Sequence, residues 1–134
     1  SGNRQSIRES LEYRARMATE NRADLFVALH VDNRPEDYKG FRIYVSHENP
    51  HYSDCIRLGS SMIETIKGTY DIEQDMKETK EHIYVLRNAT MPAILVSCGN
   101  INSPRDFSFI TDEKNLEKIA RDILQGIVQY QARK

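Results

Sequence analysis

The sequence predicts an α/β domain, arranged as a three-layer sandwich in which helices flank a mostly parallel sheet. The segment Ala23–Asp32 (ADLFVALHVD) is apolar on both alternating faces, which is typical of a strand that is covered on both sides. The segment Glu113–Gln131 carries apolar residues at a period of about 3.6, which indicates an amphipathic helix. Strands and helices alternate along the chain, and this order favours the three-layer arrangement.

The remaining elements follow from the same two periodicities. In chain order, the sequence predicts a helix beginning near Ser6, the strands Ala23–Asp32 and Phe41–Ser46, a helix over Ser53–Lys67, the strands Ile83–Arg87 and Ala93–Ser97, and the helix Glu113–Gln131. The polar stretch Gly68–His82 is expected to run over the surface. No repeat, low-complexity tract or linker divides the chain, so residues 1–134 are interpreted as a single domain.

The composition excludes several classes of protein. The chain has 134 residues and a net charge of −1. Its 39% hydrophobic and 29% charged residues are fractions typical of a globular domain. This charge provides no basic face for nucleic acid, and the apolar runs are too short to span a membrane. Cys55 and Cys98 are too few for a disulfide framework or a four-cysteine zinc site, so both are interpreted as core or surface thiols.

The segment Val45–Ser53 (VSHENPHYS) contains a match to the zinc-peptidase pattern H-E-x-x-H. In such peptidases both histidines lie on one helix, one turn apart, and the glutamate between them is the general base. Here Pro50 directly precedes His51, and proline is tolerated only in the first turn of a helix. His47 is therefore expected to lie outside the helix, and both histidines are interpreted as polar loop residues at the edge of a cleft.

His30 is a stronger candidate, because it lies at the carboxyl end of a buried strand, where open α/β sheets bind their ligands. The segment NRADLFVALHVDN, together with GFRIYV, YVLRNATMPAILVSCGNINSPRD and IARDILQGIVQY, resembles the zinc-dependent N-acetylmuramoyl-L-alanine amidases of bacterial cell-wall remodelling. The resemblance extends from Ser6 to Tyr130. These enzymes hydrolyse the amide bond between the lactyl group of muramic acid and the first L-alanine of the peptide stem.

The resemblance implies a zinc site and a general base. In this family two histidines and a glutamate bind one zinc ion, and a second glutamate at the end of a late strand is the general base. His30 matches one of the zinc-binding histidines, whereas the other two ligands belong to a strand and a helix that precede the matched part of the family. Ser97 occupies the general-base position. Because a serine hydroxyl is not a base near pH 7, we expect hydrolysis to be impaired, typically by about 10² to 10⁴-fold.

Three further residues are candidates for the site. Asp32 lies two residues after His30, where it can orient the imidazole, approach the metal or bind substrate. Arg87 and Asn88 match the family's loop that shapes the substrate cleft, and are expected to bind substrate. For Arg87, a surface salt bridge is an equally good interpretation.

Two rearranged sites are alternatives to the family's arrangement. The first is a zinc site rebuilt with His47, Glu48 and His51. The second is a cysteine nucleophile, Cys98. The second is disfavoured because adjacent strand residues point to opposite faces, so that Cys98 faces away if Ser97 faces the site.

The resemblance implies a peptidoglycan amidase domain of the cell envelope or periplasm, with zinc as cofactor and the peptide stem as its partner. The alternative is a non-catalytic domain that binds peptidoglycan or a protein, or a structural module of an envelope protein. The family's first strand lies inside the sheet, so strand edges without it are expected to be covered by an upstream segment or in a homodimer. No nucleic acid and no membrane segment are expected.

Overall fold

The computed structural model describes residues 2–78 and 83–133, which form helices and strands in alternation. In chain order these are α1 (Gly2–Glu20), β1 (Phe26–Asp32), β2 (Arg42–Tyr44), α2 (Tyr52–Ile66), α3 (Ile83–Asn88), β3 (Ala93–Asn100), α4 (Pro104–Ile110) and α5 (Glu113–Ala132). The last four residues of the predicted surface stretch Gly68–His82 lie outside the described residues. None of the described helices is both long and apolar enough to cross a lipid bilayer.

The sheet has the strand order β1-β3-β2 and is mixed. β1 pairs with β3 in parallel, and β2 pairs with β3 in antiparallel. The α/β class predicted from the sequence is thus confirmed, with one strand pair of each kind rather than a mostly parallel sheet. β2 is reversed because the loop 33–41 returns the chain to the sheet at the end where β1 finishes. β2 then runs to the opposite end, where β3 starts, so β3 is parallel to β1.

Helices cover both faces of the sheet. Ala93 and Leu95 of β3 pack in a cluster with Leu86 of α3, on the face that α1 and α3 cover. Ile94 and Val96 point to the other face, where they belong to a core cluster that also contains residues of α2 and α5. The alternation along β3 therefore places the sheet between two helical layers, as the three-layer prediction requires.

The predicted strand Ile83–Arg87 is wrong, because these residues form helix α3. Short apolar runs do not distinguish a strand from a buried helical turn. In the fold, β3 already has β1 and β2 on its two edges, and Val85 and Leu86 are buried against the face of the sheet instead. Helix α4 was not predicted, although Ser103 as N-cap followed by Pro104 is a typical start signal.

The two edges of the sheet differ. Along β2, the segment Asp71–Lys77 exchanges backbone hydrogen bonds with Phe41, Ile43 and their neighbours, at 2.9 Å each. Within residues 2–78 and 83–133, no strand pairs with the outer edge of β1. There the side chains of Leu29 and Val31 are 63% and 38% exposed. The open edge expected from the sequence is thus the edge of β1.

Helices α2 and α5 pack closely at Gly126. A Cβ atom there would lie 2.9 Å from the Sδ of Met62 and 3.1 Å from the Oγ1 of Thr65. We expect Gly126→Val to lower the free energy of unfolding by about 1–3 kcal/mol, as overpacking typically does. Urea unfolding measures the change, with Gly68→Ala as control because a Cβ at Gly68 meets no atom within 4 Å. A Gly126→Val protein as stable as wild type would contradict close packing here.

Candidate functional site

The candidate site lies at the carboxyl end of β1 and β3, on the face that α1 and α3 cover. Ser97 has two Cα partners in the sheet, His30 on β1 and Arg42 on β2. His30 shares the alternation of Ala28, and Ser97 that of Leu95, so both belong to the same face. The side chain of His30 is 39% exposed, whereas Ser97 is fully buried.

A small cavity borders His30 on this face. Its volume is about 70 Å³, and it lies between α1, α3 and β1. Its walls are apolar apart from Arg14 and His30. The cavity therefore offers space for a small apolar group directly beside the histidine.

An irregularity in the sheet follows directly after His30. Asp32 pairs with Asn100, so one residue between His30 and Asp32 faces two residues between Ser97 and Asn100. The extra residue of β3 is accommodated at Gly99, whose φ of +98° favours glycine. This bulge ends the regular pairing beside the site.

Asp32 is buried, with an exposed fraction of 2%, and its carboxylate lies between Tyr44 and His30. The Oη of Tyr44 donates a hydrogen bond to Oδ2 of Asp32 at 3.2 Å, and Nε2 of His30 lies 3.6 Å from Oδ1. The Oη of Tyr38 lies 3.1 Å from that of Tyr44. Burial, the contact with Tyr38 and the charge of Asp32 raise the pKa of Tyr44, so Tyr44 remains a proton donor. The structure therefore brings Asp32 beside His30, as the sequence predicted.

Ser97 carries no group that accepts a proton near neutral pH. Its Oγ donates a weak hydrogen bond of 3.4 Å to the carbonyl oxygen of Gly99 within β3. The hydroxyl is therefore directed to the backbone of its own strand.

Cys98 belongs to the opposite face of the sheet, where it packs against the core between α2 and α5. This arrangement confirms the predicted orientation. Burial raises the pKa of the Cys98 thiol to about 11. Both features argue against Cys98 as a nucleophile that acts together with His30.

We expect Cys98 to react slowly with iodoacetamide, because only the thiolate is nucleophilic. At about pH 8 its rate should be on the order of 100-fold or more below that of a free cysteine with an ordinary pKa. Alkylation followed by peptide mass spectrometry measures this rate, and the urea-unfolded protein provides the reference. Equal rates in the folded and unfolded protein would contradict the raised pKa.

The two histidines of the H-E-x-x-H match do not lie on one helix, as predicted. His51 is the N-cap of α2, and its Nε2 lies 3.1 Å from the carbonyl oxygen of Thr90. The Nδ1 of His47 is 2.8 Å from the carboxylate of Glu78. Burial opposes ionisation of Glu78, but hydrogen bonds from the backbone and ring of His47 outweigh burial and lower its pKa.

The rebuilt zinc site of His47, Glu48 and His51 is not formed. The part of the chain that the structure describes contains no group of three or more His, Cys, Asp or Glu side chains that could hold a metal ion. These residues follow the end of β2, which is antiparallel to β3 and therefore ends near the start of β3. They thus lie at the opposite end of the sheet from His30.

Arg87 and Asn88 also lie away from His30. They are the last residues of α3, which leads into the start of β3, whereas Ser97 is in the second half of that strand. The Nη1 of Arg87 is 4.0 Å from Oε2 of Glu48, and Nδ2 of Asn88 donates to its own helix at 2.8 Å. Substrate binding by these two residues stays a prediction.

Sequence reasoning missed the residues that hold the loop over the site. Asn100 is fully buried, and its Nδ2 donates to the carbonyl oxygens of Pro35 and Tyr38 at 2.9 and 2.7 Å. Its Oδ1 accepts from the backbone N–H of Arg34 at 3.0 Å. These bonds fix Tyr38 next to Tyr44. The sequence gave one indication of these contacts: the alternation in FRIYV, which places Tyr44 and Ile43 on opposite faces of the strand.

The fold and site together define an α/β domain that has a polar histidine–carboxylate pair at the carboxyl end of its parallel strands. This is the usual place for a ligand in such folds. Comparison with known proteins then identifies the family. The profile of the N-acetylmuramoyl-L-alanine amidase family matches residues 3–129, and the chain therefore belongs to this family.

Solved structures and curated relatives agree with this assignment. The CwlD amidase from Clostridioides difficile, solved in complex with the GerS lipoprotein, superimposes with a TM-score of 0.84 and 26% identity, covering 98% of this chain and 66% of that one. The N-acetylmuramoyl-L-alanine amidase from Clostridium difficile 630 gives a TM-score of 0.79 and 26% identity, with 92% and 66% covered. The germination-specific N-acetylmuramoyl-L-alanine amidase of Bacillus subtilis (strain 168) is 20% identical over 123 residues, covering 91% of this chain and 51% of that protein. The chain spans about half the length of the curated relatives it matches.

The amidase family is zinc-dependent, and the surroundings of His30 fit one ligand of such a site. Metal-binding histidines commonly direct their second ring nitrogen towards a carboxylate, as His30 directs Nε2 towards Asp32. The described residues do not complete a ligand set of three.

Proposed function

We propose that this chain is a peptidoglycan amidase domain whose hydrolytic step is impaired and which recognises the amide-linked peptide stem of muramic acid. The observation that carries this proposal is the pairing of His30 with Ser97 at the carboxyl end of the sheet. The family places a zinc ligand and the general base at these two positions. The chain retains the first and has replaced the second.

The proposed role of His30 is that of a zinc ligand, supported by Asp32. Zinc, when bound, would polarise the scissile carbonyl and lower the pKa of a water molecule. The imidazole is half exposed and can face a ligand, whereas the carboxylate is buried behind it. Asp32 thus serves the site by holding His30, and Ser97 leaves the attacking water without a base.

Recognition of peptidoglycan needs fewer groups than its hydrolysis does. The proposed substrate contacts are the opening beside His30 and, at a greater distance, Arg87 and Asn88. The cavity of about 70 Å³ beside His30 suits a small apolar group such as a methyl of the stem. The proposed location is the cell envelope, outside the cytoplasm, where peptidoglycan is found.

A second function, binding without catalysis, is supported by the side chain at position 97, because a serine hydroxyl is not a proton acceptor near neutral pH. In the similar CwlD structure the amidase is in complex with a lipoprotein. A protein partner, a second copy of the chain or an upstream segment is proposed to cover the open edge of β1.

Zinc content and peptidoglycan binding test the proposal together. Elemental analysis is made on the purified wild type and on His30→Ala, and both proteins are sedimented with insoluble peptidoglycan. We expect the wild type to cosediment with peptidoglycan and to release few peptide stems. Any zinc that the wild type binds should be lost in His30→Ala. Release of peptide stems at the rate of an active family member would overturn the proposal that hydrolysis is impaired. Absence of cosedimentation would overturn recognition of peptidoglycan.

A further inference from the structure

We propose that Tyr44 and Asp32 position the imidazole of His30 and fix the ring nitrogen that carries its proton. The inference deepens the proposed function, because it concerns the same histidine. It is carried by a row of four polar side chains, Tyr38, Tyr44, Asp32 and His30, which the loop 33–41 and the strands β1 and β2 bring together.

The direction of each hydrogen bond in this row follows from the number of protons available. Tyr44 has one hydroxyl proton, which it donates to Oδ2 of Asp32 at 3.2 Å. In the 3.1 Å contact between the two tyrosines, Tyr38 must therefore be the donor. Both phenols thus point their protons towards Asp32, which remains the acceptor at the end of the row.

The second oxygen of Asp32 faces the histidine. Oδ1 lies 3.6 Å from Nε2 of His30, which is the separation of an electrostatic contact rather than of a short hydrogen bond. A carboxylate favours the tautomer that turns an N–H towards it. Nε2 therefore carries the proton of the neutral ring, and Nδ1 carries the lone pair with which an imidazole binds a metal or accepts a proton.

Burial and contacts with neighbouring side chains hold the four side chains of this row in place. Asp32 and Tyr44 are each only 2% exposed, so neither is free to turn towards solvent. The guanidinium of Arg42 lies 3.7 Å from the centre of the Tyr38 ring, and Asn100 binds the backbone of Tyr38 at 2.7 Å. Tyr44 consequently acts as a positioning residue, through Asp32.

The tautomer of His30 is measurable by NMR in the metal-free protein. Histidine labelled with ¹⁵N gives separate signals for protonated and unprotonated ring nitrogens, and the His30→Gln variant assigns the His30 signals. For the neutral form of the ring, we expect the Nε2–H tautomer to dominate in wild type. Tyr44→Phe and Asp32→Asn should each change the tautomer ratio, by up to about fivefold. Asp37→Asn, which removes an exposed charge from the same loop, should leave it unchanged.

Two outcomes would overturn the inference. The first is a dominant Nδ1–H tautomer in wild type, which decides the matter even if a variant fails to fold. The second is a tautomer ratio that is the same in wild type, Tyr44→Phe and Asp32→Asn, since a purely structural role of Tyr44 would alter stability and leave the ring unaffected. Because the measurement needs neither zinc nor substrate, its result is independent of whether the chain binds peptidoglycan.

Discussion

Replacing Ser97 with glutamate is expected to raise amide hydrolysis by about 10² to 10⁴-fold, the usual contribution of a general base. Ser97 lies in register with His30, so a carboxylate there stands next to the proposed zinc ligand. The variant is made in a chain that carries the family's first strand and helix ahead of residue 1, so that all zinc ligands are present. Release of peptide stems from purified muramyl peptides, followed by chromatography, measures the rate.

The matched control is Ser97→Gln, which has the size and shape of glutamate without a basic carboxylate. It should leave the rate at the level of Ser97. If Ser97→Glu hydrolyses no faster than Ser97→Gln while zinc is bound, the proposal that serine at position 97 limits hydrolysis is wrong.

Asp106→Ala is expected to lower the free energy of unfolding by about 3–5 kcal/mol, because it leaves several buried donors without an acceptor. Oδ2 of Asp106 accepts from the backbone N–H groups of Gly40 and Asn100 at 2.8 and 2.9 Å. Oδ1 accepts from the Oη of Tyr70 at 2.5 Å. Burial and the bond to Asp106 raise the pKa of Tyr70 to about 12, so this donor stays protonated. Urea unfolding followed by circular dichroism measures the change.

Asp71→Ala is the matched control for Asp106→Ala. The side chain of Asp71 is 73% exposed, and it pairs with Arg105 at 2.8 Å on the surface. Exposed pairs typically contribute less than about 1 kcal/mol, so stability should change little. Equal losses in the two variants would contradict a specific role for the buried carboxylate. In Asp106→Ala the loop that bears Tyr38 also loses the hydrogen bond between Gly40 and Asp106. Because Tyr38 is then held less firmly beside Tyr44, the His30 tautomer should become less uniform.

Much of the site's location was predictable from local pattern. The strand ending at His30 was recognisable because its residues are apolar on both faces, and its position at the carboxyl end follows from chain direction alone. Pro50 was enough to separate His47 from the helix that follows. The opposite orientations of Ser97 and Cys98 follow from the period of two in a strand. Each of these conclusions depends on neighbours in the sequence.

The contacts that shape the site depend instead on distant parts of the chain. Tyr44 reaches Asp32 from the other side of β3, because β1 and β2 pair with opposite edges of that strand. Likewise, Asn100 holds residues more than 60 positions earlier in the chain. The same limit explains the error at Ile83–Arg87, since the sequence does not reveal that both edges of β3 are already occupied.

The unequal edges of the sheet bear on how the site could be completed. In the described residues the segment Asp71–Lys77 closes the side of β2, so a further strand can join only beside β1. Such a strand, whichever polypeptide provides it, would run next to His30, and its residues level with His30 would be the nearest new donors for a metal. Extension of the sheet beside β1 would then also place a further metal ligand next to His30.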